Sequence, residues 1–88
     1  NKSVHSTSIE VTMVNSVGVL GRICTLIGEQ GANISDLKFV TRKPDFYKTV
    51  FELTVRDLKH LHNIITSIQV DIDVSEAIRH RKNDIKVK

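Results

Sequence analysis

The apolar residues of this chain recur with two different periods, and the order of these periods restricts the fold more than any other feature. Four segments alternate apolar and polar side chains, the period of a half-buried strand. Two segments repeat apolar residues every three or four positions, the period of an amphipathic helix. The segments are, in order, strand 9–13, helix 19–27, strand 34–42, strand 49–55, helix 58–68 and strand 74–80.

The order β-α-β-β-α-β predicts an α+β, ferredoxin-like fold. We expect a four-stranded antiparallel sheet with both helices on one face, and right-handed crossovers place the first and third strands in the middle. The length of 88 residues suits one domain, with a core over about 8–81 and a basic tail over 82–88. Such a small domain buries only about 60–65% of its unfolded surface, so a homodimer is expected.

Local signals predict where these elements begin and end. Asn15–Gly18 has turn chemistry directly before a helical period, and Gly31 supplies the left-handed residue that commonly closes a helix. Lys43–Asp45, with the proline between them, predicts a hairpin turn. Asp57 is the expected N-cap of the second helix, whose apolar stripe is Leu58, Leu61, Ile64, Ile65 and Ile68.

The second strand is predicted to be irregular. Its alternation places Leu37, Phe39 and Thr41 on one face, but Ile34 is out of phase with them. An extra residue in a strand restores the phase, so we expect a bend or bulge near Ser35-Asp36.

The basic charge of the chain is concentrated at its end. The formal net charge is +3, whereas Arg79–Lys88 alone holds five basic residues and one acid, and residues 1–78 sum to −1. We therefore expect a solvated basic tail rather than a nucleic-acid-binding face, although such a cluster can contact phosphate.

Composition also restricts the cellular setting. The longest apolar runs are two residues long, which excludes a membrane-spanning helix and a secretory signal. The only cysteine, Cys24, cannot form an intrachain disulfide, which predicts a reducing, cytoplasmic compartment. The chain does not begin with methionine, so we expect a piece of a longer protein.

No residue pattern predicts catalysis, and no metal or cofactor is expected. Cys24 follows the apolar stripe of the first helix and is expected to act as a small buried hydrophobe. His60 and His62 point about 200° apart on a helix, cannot ligate one metal together and are expected to be solvated. Asp71 and Asp73 are expected in a short acidic turn.

Gly18-Val19-Leu20-Gly21 opens the first helix, where backbone N–H groups attract an anion. The segment matches neither a dinucleotide-binding motif nor a P-loop, so a nucleotide is not expected. A small carboxylate bound at this terminus and a plain tight turn both remain open. RNA recognition on the central strands is not favoured, because the first strand carries no aromatic residue.

Asn15-Ser16-Val17-Gly18-Val19-Leu20, followed by Ile23 and by Gly31-Ala32-Asn33-Ile34, resembles the motif of the ACT domain, a small regulatory module. The resemblance extends from about Ser8 to Arg81. In the second half, Val55-Arg56-Asp57, His60-Leu61 and the closing Arg79-His80-Arg81 resemble the C-terminal ACT domain of the Rel/Spo GTP pyrophosphokinases. Asn15 stands where the family more often has Asp, and Ala77 where a larger aliphatic residue is common.

The resemblance implies a regulatory domain of an enzyme that makes or hydrolyses (p)ppGpp, with its catalytic domains upstream. ACT domains often pair and bind an amino acid at the interface. Aliphatic side chains at the matching positions favour a branched-chain amino acid. The implied ligand-binding residues are Asn15, Val17, Gly18, Val19, Asn33 and Ile34.

A second function remains open, namely a protein or ribosomal-RNA docking module without a small ligand. Arg79, Arg81 and Lys82 are the candidate contacts, and the implied link of these enzymes to the ribosome suggests the partner.

Overall fold

Six secondary-structure elements follow the predicted order in the computed structural model, which describes residues 5–80. Arg81 and the predicted basic tail 82–88, which begins with Lys82, lie outside the described residues. The elements are β1 (His5–Val14), α1 (Val19–Glu29), β2 (Asn33–Arg42), β3 (Phe46–Val55), α2 (Leu58–Gln69) and β4 (Val74–His80).

The four strands form one antiparallel sheet in the order β2-β3-β1-β4. β1 pairs with β3 along its whole length, from His5 opposite Val55 to Val14 opposite Phe46. β4 pairs with the other edge of β1, and β2 with the other edge of β3. The ferredoxin-like fold, with the first and third strands at the centre, is therefore confirmed.

The core lies between one face of the sheet and both helices. Alternate residues of β1 and β3 point into it, because successive side chains of a strand point to opposite faces. The other face of β1 carries Glu10, whose carboxylate lies 3.5 Å from Lys48 Nζ and 3.3 Å from His80 Nδ1. Buried core residues include Ile9, Val11, Met13, Ile23, Ile27, Phe51, Leu53, Leu61, Ile64 and Ile68.

β2 contains two irregularities, of which the sequence predicted one. The register against β3 shifts between Ile34 and Asp36, as expected, and shifts again between Phe39 and Thr41. Each shift reverses the alternation of faces beyond it. Thr41 therefore lies opposite Lys48 on the face away from the helices, and its predicted place beside Leu37 and Phe39 is wrong.

The predicted helix ends are confirmed, but the predicted burial of two α2 side chains is wrong. Asp57 caps α2 by accepting a 2.8 Å hydrogen bond from the His60 N–H, and Gly31 closes α1 with φ +88°. Leu58, expected in the apolar stripe, is 65% exposed, whereas His60, expected in solvent, is only 3% exposed. Leu58 precedes the part of α2 that covers the sheet, and His60 faces the end of α1.

Candidate functional site

The loop between β1 and α1, residues 15–18, is the centre of the predicted ligand site and is called the Gly18 loop here. Gly18 is the N-cap of α1 with φ +85°, in the left-handed region that favours glycine. No side chain caps the helix. A Cβ at Gly18 would have no atom within 4 Å, so the helix terminus is open to approach.

Two backbone N–H groups are available at this terminus. The Val19 N–H donates to the Ser16 carbonyl at 3.2 Å, and the first bond of the helical ladder runs from the Arg22 N–H to the Gly18 carbonyl at 2.9 Å. The intervening N–H groups, on Leu20 and Gly21, therefore have no acceptor within the helix. Together with the positive end of the helix dipole they suit a small anion such as a carboxylate.

Asn15 holds the Gly18 loop against the turn between β2 and β3. Its backbone N–H donates to the Asp45 carbonyl at 3.0 Å, and its side-chain Nδ2 donates to the Lys43 carbonyl at 2.9 Å. Because Nδ2 is engaged, the side chain offers a ligand its Oδ1, which can accept a hydrogen bond from an amino group.

An ion-pair cluster beside the loop was missed by sequence reasoning. Arg22 donates from Nε and Nη2 to the Asp71 carboxylate at 2.9 and 2.8 Å, and from Nη2 to Asp73 Oδ2 at 2.7 Å. The Arg22 hydrogen bond, followed by one from the Asp73 backbone N–H, lowers the pKa of Asp71. The two carboxylates already engage Arg22, so it is not positioned as a receptor for a ligand carboxylate. No local pattern could have predicted partners 49 and 51 residues apart.

The predicted site residues of β2 lie at the other end of the sheet. Asn33 pairs with Thr54, near the end of β3, while the Gly18 loop follows Val14, which pairs with Phe46 at its beginning. Eight residues of strand separate these positions, about 26 Å at roughly 3.3 Å per residue. One copy of the chain does not bring Asn33 and Ile34 to the Gly18 loop.

The predicted aliphatic contacts differ in what they can offer a ligand. Val17 is fully exposed, with a relative exposure of 101%. Val19 is 2% exposed and its side chain belongs to the core. Ile34 is half-buried against the core. A ligand can therefore contact the whole side chain of Val17, part of the side chain of Ile34, and only the backbone of Val19.

Arg79, the described member of the predicted docking cluster, is exposed near the end of β4. It lines a half-open cleft of about 370 Å³. The cleft lies at the end of the sheet opposite the Gly18 loop. Its other lining residues are His5, Ser6, Thr7, Val55, Asp57, Leu58 and Leu61.

The groups considered for catalysis and metal binding all lie within residues 5–80. Cys24 is half-buried against the core, and this burial raises the pKa of its thiol. No three His, Cys, Asp or Glu side chains of this region are grouped to hold a metal ion. Neither helix in the same region has the length and apolarity needed to cross a membrane.

Comparison with known proteins gives a consistent result. The GTP pyrophosphokinase rsh of Brucella suis is 38% identical over 71 residues, covering 81% of this chain. The bifunctional (p)ppGpp synthase/hydrolase SpoT of Escherichia coli is 35% identical over 75 residues, covering 85% of this chain. These matches take up only 10% and 11% of the two relatives, so the chain spans about a tenth of their length.

A solved structure and a family model agree with these relatives. The crystal structure of the ACT domain from the GTP pyrophosphokinase of Chlorobium tepidum superposes with a TM-score of 0.77 at 14% identity, covering 89% of this chain and all of that one. The sequence model of the ACT domain family matches residues 1–79. By fold, sequence and motif order, this chain belongs to the ACT domain family.

Proposed function

We propose that the chain is the regulatory domain of a (p)ppGpp synthetase/hydrolase and that an amino acid bound at the Gly18 loop controls the catalytic domains. The enzyme class comes from the relatives, one named as a GTP pyrophosphokinase and one as a (p)ppGpp synthase/hydrolase. The observation that carries the ligand site is the open, side-chain-free N-terminus of α1 at the left-handed Gly18.

The chemistry of the loop supports an α-amino acid. The ligand carboxylate accepts hydrogen bonds from the Leu20 and Gly21 N–H groups, and the ligand amino group donates to Asn15 Oδ1. Val17, which is fully exposed, then contacts the ligand side chain. An aliphatic surface favours an apolar side chain, so the proposed ligands are valine, leucine and isoleucine.

A second copy of the chain completes this site in the proposal. A copy related by a two-fold axis, with its β2 antiparallel alongside the first β2, brings Asn33 and Ile34 of one protomer toward the Gly18 loop of the other. The homodimer is proposed because one chain holds these site residues at opposite ends of its sheet, so that a second copy is needed to unite them.

Control of the catalytic domains requires that the amino acid bind one state of the whole enzyme more tightly than another. Allosteric coupling typically amounts to about 1–3 kcal/mol. The synthesis and hydrolysis of (p)ppGpp are the two activities over which the ligand would shift the balance.

The test is thermal melting of the 88-residue chain with a panel of free amino acids. At about 100 times Kd, a ligand specific to the native state adds about 2.7 kcal/mol, which raises Tm by several degrees. Gly18→Asp and Gly18→Asn form a matched pair of nearly equal size, and both residue types tolerate a positive φ better than most. We expect Gly18→Asp to abolish the shift by repelling the carboxylate, and Gly18→Asn to retain part of it.

A Tm shift that Gly18→Asp leaves unchanged would place the ligand elsewhere. If no amino acid raises Tm at millimolar concentration, a docking module without a small ligand becomes the better proposal, with Arg79, Arg81 and Lys82 as its contacts. Sedimentation with and without ligand tests the homodimer, which must be present whenever the amino acid is bound.

A further inference from the structure

The part of the β2–β3 hairpin on either side of its turn is basic, although the rest of the described domain is acidic. The segment 38–48, called the hairpin tip here, contains four basic residues and one acid, a net charge of +3. The remaining residues of 5–80 contain four basic and eight acidic residues, a net charge of −4. The overall composition does not reveal this separation of charge, because the net charges of the two parts, +3 and −4, nearly cancel.

The hairpin tip also carries three of the four aromatic residues of the chain, Phe39, Phe46 and Tyr47. The rings of Phe39 and Tyr47 meet edge to face, with centroids 5.1 Å apart. The Arg42 guanidinium lies over the Phe39 ring, 4.7 Å from its centroid. Phe39 is 37% exposed and Arg42 is exposed, so this stack lies at the surface.

Such a stack presents a planar cation whose outer side is available to a flat partner. Nucleobases stack on guanidinium planes and on aromatic rings, and the neighbouring backbone phosphates pair with lysines. Lys43, exposed in the turn next to Arg42, is positioned for a phosphate, and Lys38 adds to the positive field.

We propose that the hairpin tip binds single-stranded nucleic acid, with a base stacked on Arg42 above Phe39 and a phosphate paired with Lys43. This surface does not include the Arg79 end of β4. It adjoins the Gly18 loop, because Asn15 donates to the Asp45 and Lys43 carbonyls, but the contacts proposed here are made by other side chains than those proposed to bind the amino acid. An unstructured strand fits better than a duplex, because only unpaired bases expose the faces that stack.

The test is fluorescence anisotropy of labelled 12-nucleotide adenine oligomers with the 88-residue chain, from 50 to 200 mM salt. RNA and DNA arms identify which nucleic acid binds, and binding of either supports the proposal. For single strands, log K falls by about 0.7 per log of salt for each phosphate contacted. We expect Lys43→Gln to reduce this slope by about 0.7, and Lys59→Gln, which removes an exposed lysine from α2, to leave it unchanged.

Arg42→Lys separates stacking from charge, because it keeps the cation but removes the plane. We expect it to weaken binding about fivefold or more without changing the salt slope, in line with the value of base stacking. Circular dichroism and Tm confirm that each variant is folded.

Three results would overturn the proposal: no binding of either oligomer at 50 mM salt, equal effects of Lys43→Gln and Lys59→Gln, or unchanged affinity in Arg42→Lys. Binding of heparin, a polyanion without bases, as tightly as the oligomers would also contradict it. Gly18→Asn separates this proposal from the amino-acid site, because it changes the helix terminus and none of the hairpin-tip residues. It is expected to bind the oligomers like the unmodified chain.

Discussion

His60 is buried, and both of its ring nitrogens have hydrogen-bond partners. Its Nδ1 accepts a hydrogen bond from the Arg56 backbone N–H at 3.0 Å, and its Nε2 lies 2.6 Å from the Gln30 carbonyl. A carbonyl only accepts hydrogen bonds, so Nε2 carries the proton and Nδ1 does not. The neutral ring thus joins the first turn of α2 to the end of α1.

Replacing His60 is expected to destabilise the domain. His60→Leu fills a similar volume but leaves the Arg56 N–H and the Gln30 carbonyl without partners, at a cost of about 1–3 kcal/mol. His62→Leu, an exposed position of the same helix, is the control and should change stability by less than about 0.5 kcal/mol. Urea unfolding of both variants measures the difference, and equal effects would mean that the two hydrogen bonds contribute little.

The role of His60 shows the limit of sequence reasoning at this scale. Helical periodicity separated His60 from His62 by about 200° but gave no reason to bury either of them. The deciding partner, Gln30, lies 30 residues away on another element. Asp57, by contrast, was predicted as a cap because its partner is three residues away and the pattern is local.

At the scale of elements, α1 and the turn that closes it carry glycines with opposite roles. Gly28 lies within the exposed part of the helix, and a Cβ there would have no atom within 4 Å. Gly31 lies just beyond the helix with φ +88°, where a Cβ would be 3.2 Å from Arg56 Nη1. Of these two positions, only Gly31 needs the conformational freedom of glycine.

The two glycines should therefore respond to alanine with opposite signs. Gly28→Ala is expected to stabilise the domain by about 0.5–1 kcal/mol, because alanine loses less entropy in a helix. Gly31→Ala is expected to destabilise it by about 1–2 kcal/mol, the cost of left-handed backbone for a residue with a Cβ. Chemical denaturation checks both values, and stabilisation by Gly31→Ala would show that the closing turn relaxes without strain.

The elements themselves were largely predictable, because their signals are local. The alternation of β1 and β3, the glycine that closes α1 and the turn containing Pro44 all lie within the segments that they define. The second shift of β2, near Val40, could not be predicted. This end of the edge strand is exposed, so its side chains do not divide into a buried face and a solvent face.

At the scale of the whole molecule, the Arg22 cluster joins α1 to the loop that precedes β4. Asp71 has a pKa below its ordinary value, so its charge stabilises the fold above its unfolded pKa of about 3.9. This contribution is lost as pH falls through the lower pKa of the folded state.

Asp71→Asn should therefore lower Tm at neutral pH, by a modest amount because the Arg22 side chain is 47% exposed and solvent and salt screen its charge. The difference from the unmodified chain should shrink as pH falls from about 4 toward 2, and it should also shrink at high salt. Melting curves over this range test the expectation. A difference that does not change with pH would assign the effect to the altered backbone hydrogen bond of Asp73 instead.

The candidate site was predictable in its parts but not in their placement. The Gly18 loop follows from a local pattern of turn residues before a helix. Whether Asn33 and Ile34 lie near it depends on the direction of three strands, and the register places them at the far end of the sheet. The number of residues between Gly18 and Asn33 does not determine how far apart they lie in the fold.

The hydrogen bonds at the Gly18 end of the sheet also determine how this region opens. Val14 donates to the Asp73 carbonyl and Asn15 to the Asp45 carbonyl, so the junction of β1 and α1 is fastened to two other loops at once. These amides can exchange with deuterium only when the loops separate. Their protection therefore reports a concerted opening of three chain segments, and a partner that holds the hairpin tip in place would slow exchange at Asn15 without touching it.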